Sequence, residues 1–345
     1  MNDTLNEISE KSNKNVNCID IKLIKDLTDN SYSKYWLANT FAIFKSLNNI
    51  YSLIYADENK SIISYDIISN KKINEIKKAH RECITNFRYY LDLINKRDLI
   101  LSISSDDNNI KIWNYSNCEC LLDIKNINKK GYLHSACFLN INNQKYIIAS
   151  NKFQDFPESI KVFNFKGEEI KRMSNSNEST VFVDSYYDFQ ISKNFIIQCT
   201  VNGSKSYDYD KNEIYKSYYD RNCPQNAIIN KKEEMTELIE SNSDGCIRIW
   251  NFHSALLLHK IEVSSNTIIL REICFVDKEY LFVGCEDKTI RIIDYNNRKI
   301  IQELKLKGHK NKVISIKKII HPQYGKCLLS QAANLDSIKL WVISK

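Results

Sequence analysis

Short apolar runs that end in a small or polar residue recur along the chain: YSLIYA (51–56), LILSISS (99–105), YIIAS (146–150), FIIQCT (195–200), ELIESN (237–242), YLFVGC (280–285) and KCLLSQA (326–332). Their length and their β-branched and aromatic content predict strands. After a few polar residues each is followed by a second run: SIISYD (61–66), NIKIWN (109–114), SIKVFN (159–164), SKSYDY (204–209), CIRIWN (246–251), TIRIID (289–294) and SIKLWV (337–342). The links between the two runs are polar and short. Asn202–Gly203 and Asp244–Gly245 within them are hairpin signals, because both residue types accept positive φ. The third link is longer, NKFQDFPE (151–158). No helical periodicity of comparable strength competes.

Near the end of each second run stands a bulky residue: Tyr65, Trp113, Phe163, Tyr207, Trp250, Ile293 and Trp341. The intervals are 48, 50, 44, 43, 43 and 48 residues. Repeats of this length with several strands per unit predict propeller blades. Seven units occupy nearly the whole chain. The predicted fold is all-β, a single seven-bladed β-propeller.

Several of these units resemble the WD-repeat (WD40) family. The fullest runs from His80 through Ser105 and Asp107 to IKIWN; others are DGCIRIWN (244–251), EDKTIRIID (286–294) and the segment from Gly308–His309 to SIKLWV. The Trp-Asp dipeptide itself is absent, and Trp-Asn replaces it twice. The resemblance implies four-stranded antiparallel blades. It also implies that CIDIKLIKDL (18–27), which alternates apolar and polar residues, supplies the missing outer strand of the last blade. The domain plan is then a disordered polar tail at 1–16 and a propeller at 17–345. The resemblance further implies a buried hydrogen-bond network of His80, Ser105, Asp107 and Trp113. Asp244, Trp250, Asp287, His309 and Trp341 hold the corresponding places in other blades. In blades five and six Asn242 and Cys285 stand where Ser is expected.

Composition narrows the function. The formal net charge of +7 is spread along a chain rich in Lys, Asn and Ile. A nucleic-acid binder would carry clustered basic charge, so nucleic acid is not the expected main partner. Only 7 Gly and 3 Pro are present, so turns must come largely from Asn, Asp, Ser and Lys. The 11 cysteines include no CxxC pair, which argues for free thiols in a reducing compartment rather than zinc. The N-terminus has no apolar core of a secretory signal, and no run approaches a membrane span. The cytoplasm is the expected location, the nucleus remaining open.

No nucleophile elbow, HExxH, P-loop or dinucleotide fingerprint occurs. His134, His253, His259 and His321 are dispersed, so no metal, cofactor, catalytic residue or small-molecule substrate is expected. Phe87-Arg88-Tyr89-Tyr90 falls short of the paired-arginine FRRG motif of phosphoinositide-binding propellers. The tyrosines from Tyr207 to Tyr219 read as sheet packing, with an interface as the alternative. The family's usual role, assembling other proteins, is the expectation. The residues expected on the binding face are Arg81, Lys310 and Lys312 after the histidines, Asp106, Ser243 and Glu286 before the turn acids, and Phe153 and Phe156 in the long connector.

Overall fold

The computed structural model describes residues 19–28, 31–33, 39–125, 127, 132–151, 159–265, 267–304 and 309–344. The expected tail at 1–16 and the connector aromatics Phe153 and Phe156 lie outside these residues. All regular structure described is strand: seven four-stranded antiparallel sheets, and a two-stranded one in which Ser31–Ser33 pairs with Asn334–Asp336. Blades 1 to 6 are continuous in sequence, spanning 41–76, 84–124, 133–172, 180–218, 224–262 and 270–304. Blade 7 combines Val313–His321, Gly325–Ala332 and Lys339–Ser344 with Asp20–Asp26. First strands touch from blade to blade all the way round, the seventh meeting the first. The ring is closed.

Closure follows the sequence pattern. Asp20–Asp26 pairs antiparallel with Lys339–Ser344, from Asp20↔Ser344 to Asp26↔Lys339. Ile19, Ile21 and Leu23 turn toward blade 6, where Val276, Tyr280 and Phe282 receive them. The polar alternates, such as Asp20 and Lys22, stay at the surface. Without this strand Lys339–Ser344 would present an open edge to other chains.

Seven hydrophobic clusters fill the ring, one at each blade interface. The near-continuous apolar runs are explained by this arrangement. Successive side chains of a strand point to opposite faces of its sheet, and both faces of a blade are covered. Leu99 and Leu101 pack toward blade 3 while Ile100 packs toward blade 1. Truncating one such aliphatic residue to Ala removes about 2–5 kcal/mol.

The turns use the residues their scarcity of glycine demands. Asn49, Asn70, Asn108, Asn142, Asn143, Asn212, Lys60, Lys96 and Lys288 all take positive φ. At Gly203 (φ 123°) glycine is required as well, since a Cβ would lie 2.6 Å from the Tyr218 carbonyl.

Candidate functional site

Two buried networks dominate the polar interior. In blade 2 the Trp113 indole donates to Ser102 Oγ (2.8 Å), which also bonds His80 Nε2 (2.8 Å). In blade 7 Trp341 donates to Ser330 Oγ (2.7 Å), and His309 bonds the same oxygen through Nε2 (2.7 Å). His309 Nδ1 reaches Asp336 at 3.0 Å, whereas His80 Nδ1 lies 3.8 Å from Asp107 and has no hydrogen bond. Asp107 instead accepts from the Arg81 backbone N–H (3.1 Å). Burial lowers the His80 pKa and favours the neutral ring.

Ser105 is not the strand serine of the blade 2 network. Trp113 pairs with Ile100, so Ile100, Ser102 and Ser104 share its face of the sheet. Ser105, an odd number of residues away, bonds Thr85 Oγ1 instead (2.8 Å). The same diagonal recurs in three further blades. Trp341 pairs with Leu328 and meets Ser330; Trp250 pairs with Leu238 and meets Glu240; Tyr207 pairs with Ile196 and meets Gln198. Where the residue at this position is apolar, so is its diagonal partner. Phe163 pairs beside Ala149, and Ile293 beside Val283. A residue with no N–H or O–H needs no acceptor.

Asp244 and Asp287 do not join a histidine network. Each forms a local ion pair on its own strand, Asp244 with Arg248 (2.7 Å) and Asp287 with Arg291 (2.6 Å). In blade 5 Asn222 takes the histidine's role and Glu240 the serine's. Glu240 Oε2 accepts from Trp250 Nε1 (2.9 Å) and Asn222 Nδ2 (3.0 Å), while Oε1 has no partner. Burial pushes this carboxyl up to about 7, against the hydrogen bonds from Trp250 and Asn222 and the charge of Arg248. Asn242 lies two residues beyond Glu240 and is not the serine equivalent; neither is Cys285, two residues beyond Val283.

The two histidines that anchor these networks have fully covered side chains. Among the described residues no group of three or more potential ligands gathers as a metal site. No helix is long and apolar enough to cross a membrane. The tyrosine-rich stretch is chiefly packing: Tyr207 and Tyr218 are fully buried, and Tyr218 contacts the Trp250 and Phe252 rings. Tyr219 alone among them is widely exposed.

The central opening holds a hollow of about 310 Å³ lined by first strands of the blades. Two of its cations are engaged. Lys317 bridges Glu272 (2.6 Å) and Asn39 (2.8 Å). Arg88 donates to the carbonyls of Ala136 (3.2 Å) and Val183 (3.1 Å), joining blades 2, 3 and 4.

The structure places the expected face residues as follows. Arg81 and Lys310 are exposed on the histidine side of the ring, and Asp106 and Ser243 are half-buried there. Glu286 and Lys312 bond one another (2.5 Å), and Arg271 Nε also donates to Glu286 (3.0 Å). Burial opposes the Glu286 charge, but these cations hold its pKa below the usual carboxylate value. Sequence reasoning missed Ser102, Ser330, Glu240 and Asp336. A search eleven residues before each tryptophan would have found both serines.

A closed ring of seven four-stranded blades, two of them carrying a Trp–Ser–His diagonal, defines a seven-bladed β-propeller consistent with the WD-repeat family. No family model matches the sequence. Local similarity reaches U3 small nucleolar RNA-associated protein 21 homolog of Schizosaccharomyces pombe, 33% identical over 78 residues, 23% of this chain and 8% of that protein. It also reaches WD repeat domain-containing protein 83 homolog of Dictyostelium discoideum, 35% over 83 residues and 23% of each chain. WD repeat-containing protein 36 of Homo sapiens is 28% identical over 103 residues, 30% of this chain and 11% of that protein. The matched segments thus span less than a quarter of each relative's length.

Proposed function

We propose that the protein is a non-enzymatic scaffold, an adaptor subunit that holds other proteins together in a larger intracellular complex. The observation that carries this reading is the fate of its chemistry-bearing side chains. His80, His309, Trp113, Trp250 and Trp341 are spent on internal hydrogen bonds, and Lys317 at the central opening is paired with Glu272. What remains available is a rigid disc with two loop faces, the arrangement on which binding functions are built. All ten cysteines among the described residues are free thiols, which fits a reducing compartment. One relative's name links it to U3 small nucleolar RNA; the cytoplasm is our reading for this chain, and imaging of the tagged protein decides it.

The test is affinity capture of the tagged full chain from its native cells, quantified by mass spectrometry against an unrelated propeller. Stoichiometric, salt-resistant protein partners are the expected result. Capture dominated by nucleic acid and abolished by nuclease, or turnover of a small molecule by the purified chain, would overturn it.

A further inference from the structure

Glu240 is fully buried between blades 4 and 5, where the diagonal partners of blades 2 and 7 are the neutral Ser102 and Ser330. Oε2 accepts two N–H groups, from Trp250 and Asn222, and Oε1 has no hydrogen-bond partner. A bare anionic oxygen in the interior costs far more than a neutral O–H in the same place. Burial therefore works against the ionised form and outweighs the two hydrogen bonds and the charge of Arg248. The carboxyl rises from its ordinary 4.5 to about 7.

The two donors are held very differently. Trp250 sits on Cys246–Asn251, which is paired on both sides, with Thr236–Asn242 and with Leu257–Glu262. Asn222 sits in the connection 219–223 between blades 4 and 5, which belongs to no sheet. Its side chain pins that connection. Nδ2 also donates to Asn242 Oδ1 (3.1 Å), and Oδ1 accepts from the Asp220 N–H (3.0 Å). Further ties are Arg248 to Asp220 Oδ2 (2.9 Å) and the Ser243 N–H to the Cys223 carbonyl (3.0 Å). On its outer side the connection faces water at the histidine side of the ring: Tyr219 is 64% exposed, and Arg221 is exposed beside it. Seating of this connection thus decides both whether water reaches Glu240 and how Tyr219 and Arg221 are displayed.

Charged and titratable groups face the carboxyl from each element around it. Arg248 lies directly across the ladder from Glu240 and is shared between Asp220 and Asp244, and Lys260 approaches Asp220 at 3.9 Å. Blade 4 contributes Cys199 and Tyr218, and the connection contributes Cys223. Burial raises both thiols and the phenol, so these three groups stay neutral below pH 8. Burial opposes the Asp244 charge, but Arg248 holds its pKa below the ordinary value. Of these displaced groups only Glu240 is brought to neutrality.

We infer that Glu240 is a proton-operated latch for the connection 219–223 on the histidine face. Protonated, it stays buried and Asn222 stays seated over it. Ionised, it draws water in past Asn222, and the connection lifts with Tyr219 and Arg221. The sign follows from where the proton is held more tightly. The seated form binds it better than the open form, in which the carboxyl meets water and regains its ordinary 4.5, so opening is favoured as the pH rises. Between pH 6 and 8 the opening equilibrium increases about tenfold, and above pH 8 it levels off because both forms are ionised. The latch acts whatever Tyr219 and Arg221 bind, so it stands apart from the scaffold reading.

The test is hydrogen exchange of the full chain at pH 6, 7 and 8, resolved to single amides by mass-spectrometric fragmentation and divided by the intrinsic exchange rates. The reporters are the Asp220 and Ser243 N–H groups, whose bonds to Asn222 Oδ1 and the Cys223 carbonyl break when the connection lifts. In the unaltered protein their protection should fall about tenfold between pH 6 and 8. Sub-denaturing urea should leave it unmoved, which marks local opening rather than unfolding of the ring. Glu240→Gln should keep protection level across the range. Asn222→Ala cuts the tie and leaves the carboxyl in place, so the Ser243 amide should exchange at pH 6 as fast as the parent's does at pH 8, with no further step. Equal pH responses in the parent and Glu240→Gln overturn the latch. So does a pH step that deepens with urea, since Glu240 then acts on the whole ring and has no hold on the connection. Retention of the parent's step in Asn222→Ala overturns it as well.

Discussion

Glu240→Gln should make the protein more stable at neutral pH and remove a pH dependence. Glu240 is fully buried at the interface of blades 4 and 5, where sibling blades use an uncharged serine. Its ionised form leaves Oε1 unbonded in the interior. Its carboxyl titrates near 7 in the fold, against an ordinary value of 4.5. A raised pKa means the folded protein holds this proton more tightly than the unfolded chain. The associated stability is fully present below pH 4.5 and is lost as the pH rises through 7. The loss amounts to about 3 kcal/mol, at about 1.4 kcal/mol per pKa unit. Glutamine has the shape of the neutral acid, and its carbonyl can accept from Trp250 and Asn222. The variant should therefore match the parent near pH 4.5 and exceed it by up to about 3 kcal/mol at pH 8. Urea unfolding at half-unit pH steps, taken as the difference between the two proteins, cancels the other titrating groups. A difference that stays constant between pH 4.5 and 8 would refute the reasoning. Glu240→Leu should behave oppositely, because it strands two buried donors at about 1–3 kcal/mol each.

Ser102→Ala and Ser330→Ala should each lower stability by about 1–3 kcal/mol in thermal melts, since each strands an indole N–H and a histidine nitrogen. Ser105→Ala should cost less, because Thr85 can still bond the Ile103 carbonyl. Asp336→Ala should cost more than Asp107→Ala, because only Asp336 is within hydrogen-bond distance of its histidine; equal losses would contradict the geometry. Deleting residues 1–27 should expose the edge at Lys339–Ser344 and yield aggregates in light scattering. Cys137 and Cys199, buried thiols whose pKa burial pushes well above the ordinary value, should resist iodoacetamide at pH 8 until urea unfolds the chain, as peptide mapping will show.

The blade count, the strand pairs and the closure strand were all legible in the chain. Repetition at intervals of 43 to 50 residues can only come from stacked like units, and alternation in CIDIKLIKDL marks a strand with one covered face. Trp113, His80, Trp341 and His309 were legible as network members because residue type and order suffice for them. Ser102 and Ser330 required register. Which of several serines shares a face with a tryptophan depends on which residue lies across the ladder, and Ser102, Ser104 and Ser105 look alike until Ile100 is paired with Trp113. Glu240 and Asn194 were beyond sequence altogether. A glutamate in a polar-looking strand end reads as solvated, and an asparagine beside a turn reads as a turn residue. Only the approach of neighbouring blades, remote in sequence, removes water from both. The same holds for the exposed apolar turns. Local sequence draws attention to loops beside the histidines, but the sidedness of Leu93, Phe189 and Ile320 appears only once seven sheets stand in a ring and all their hairpin turns emerge together.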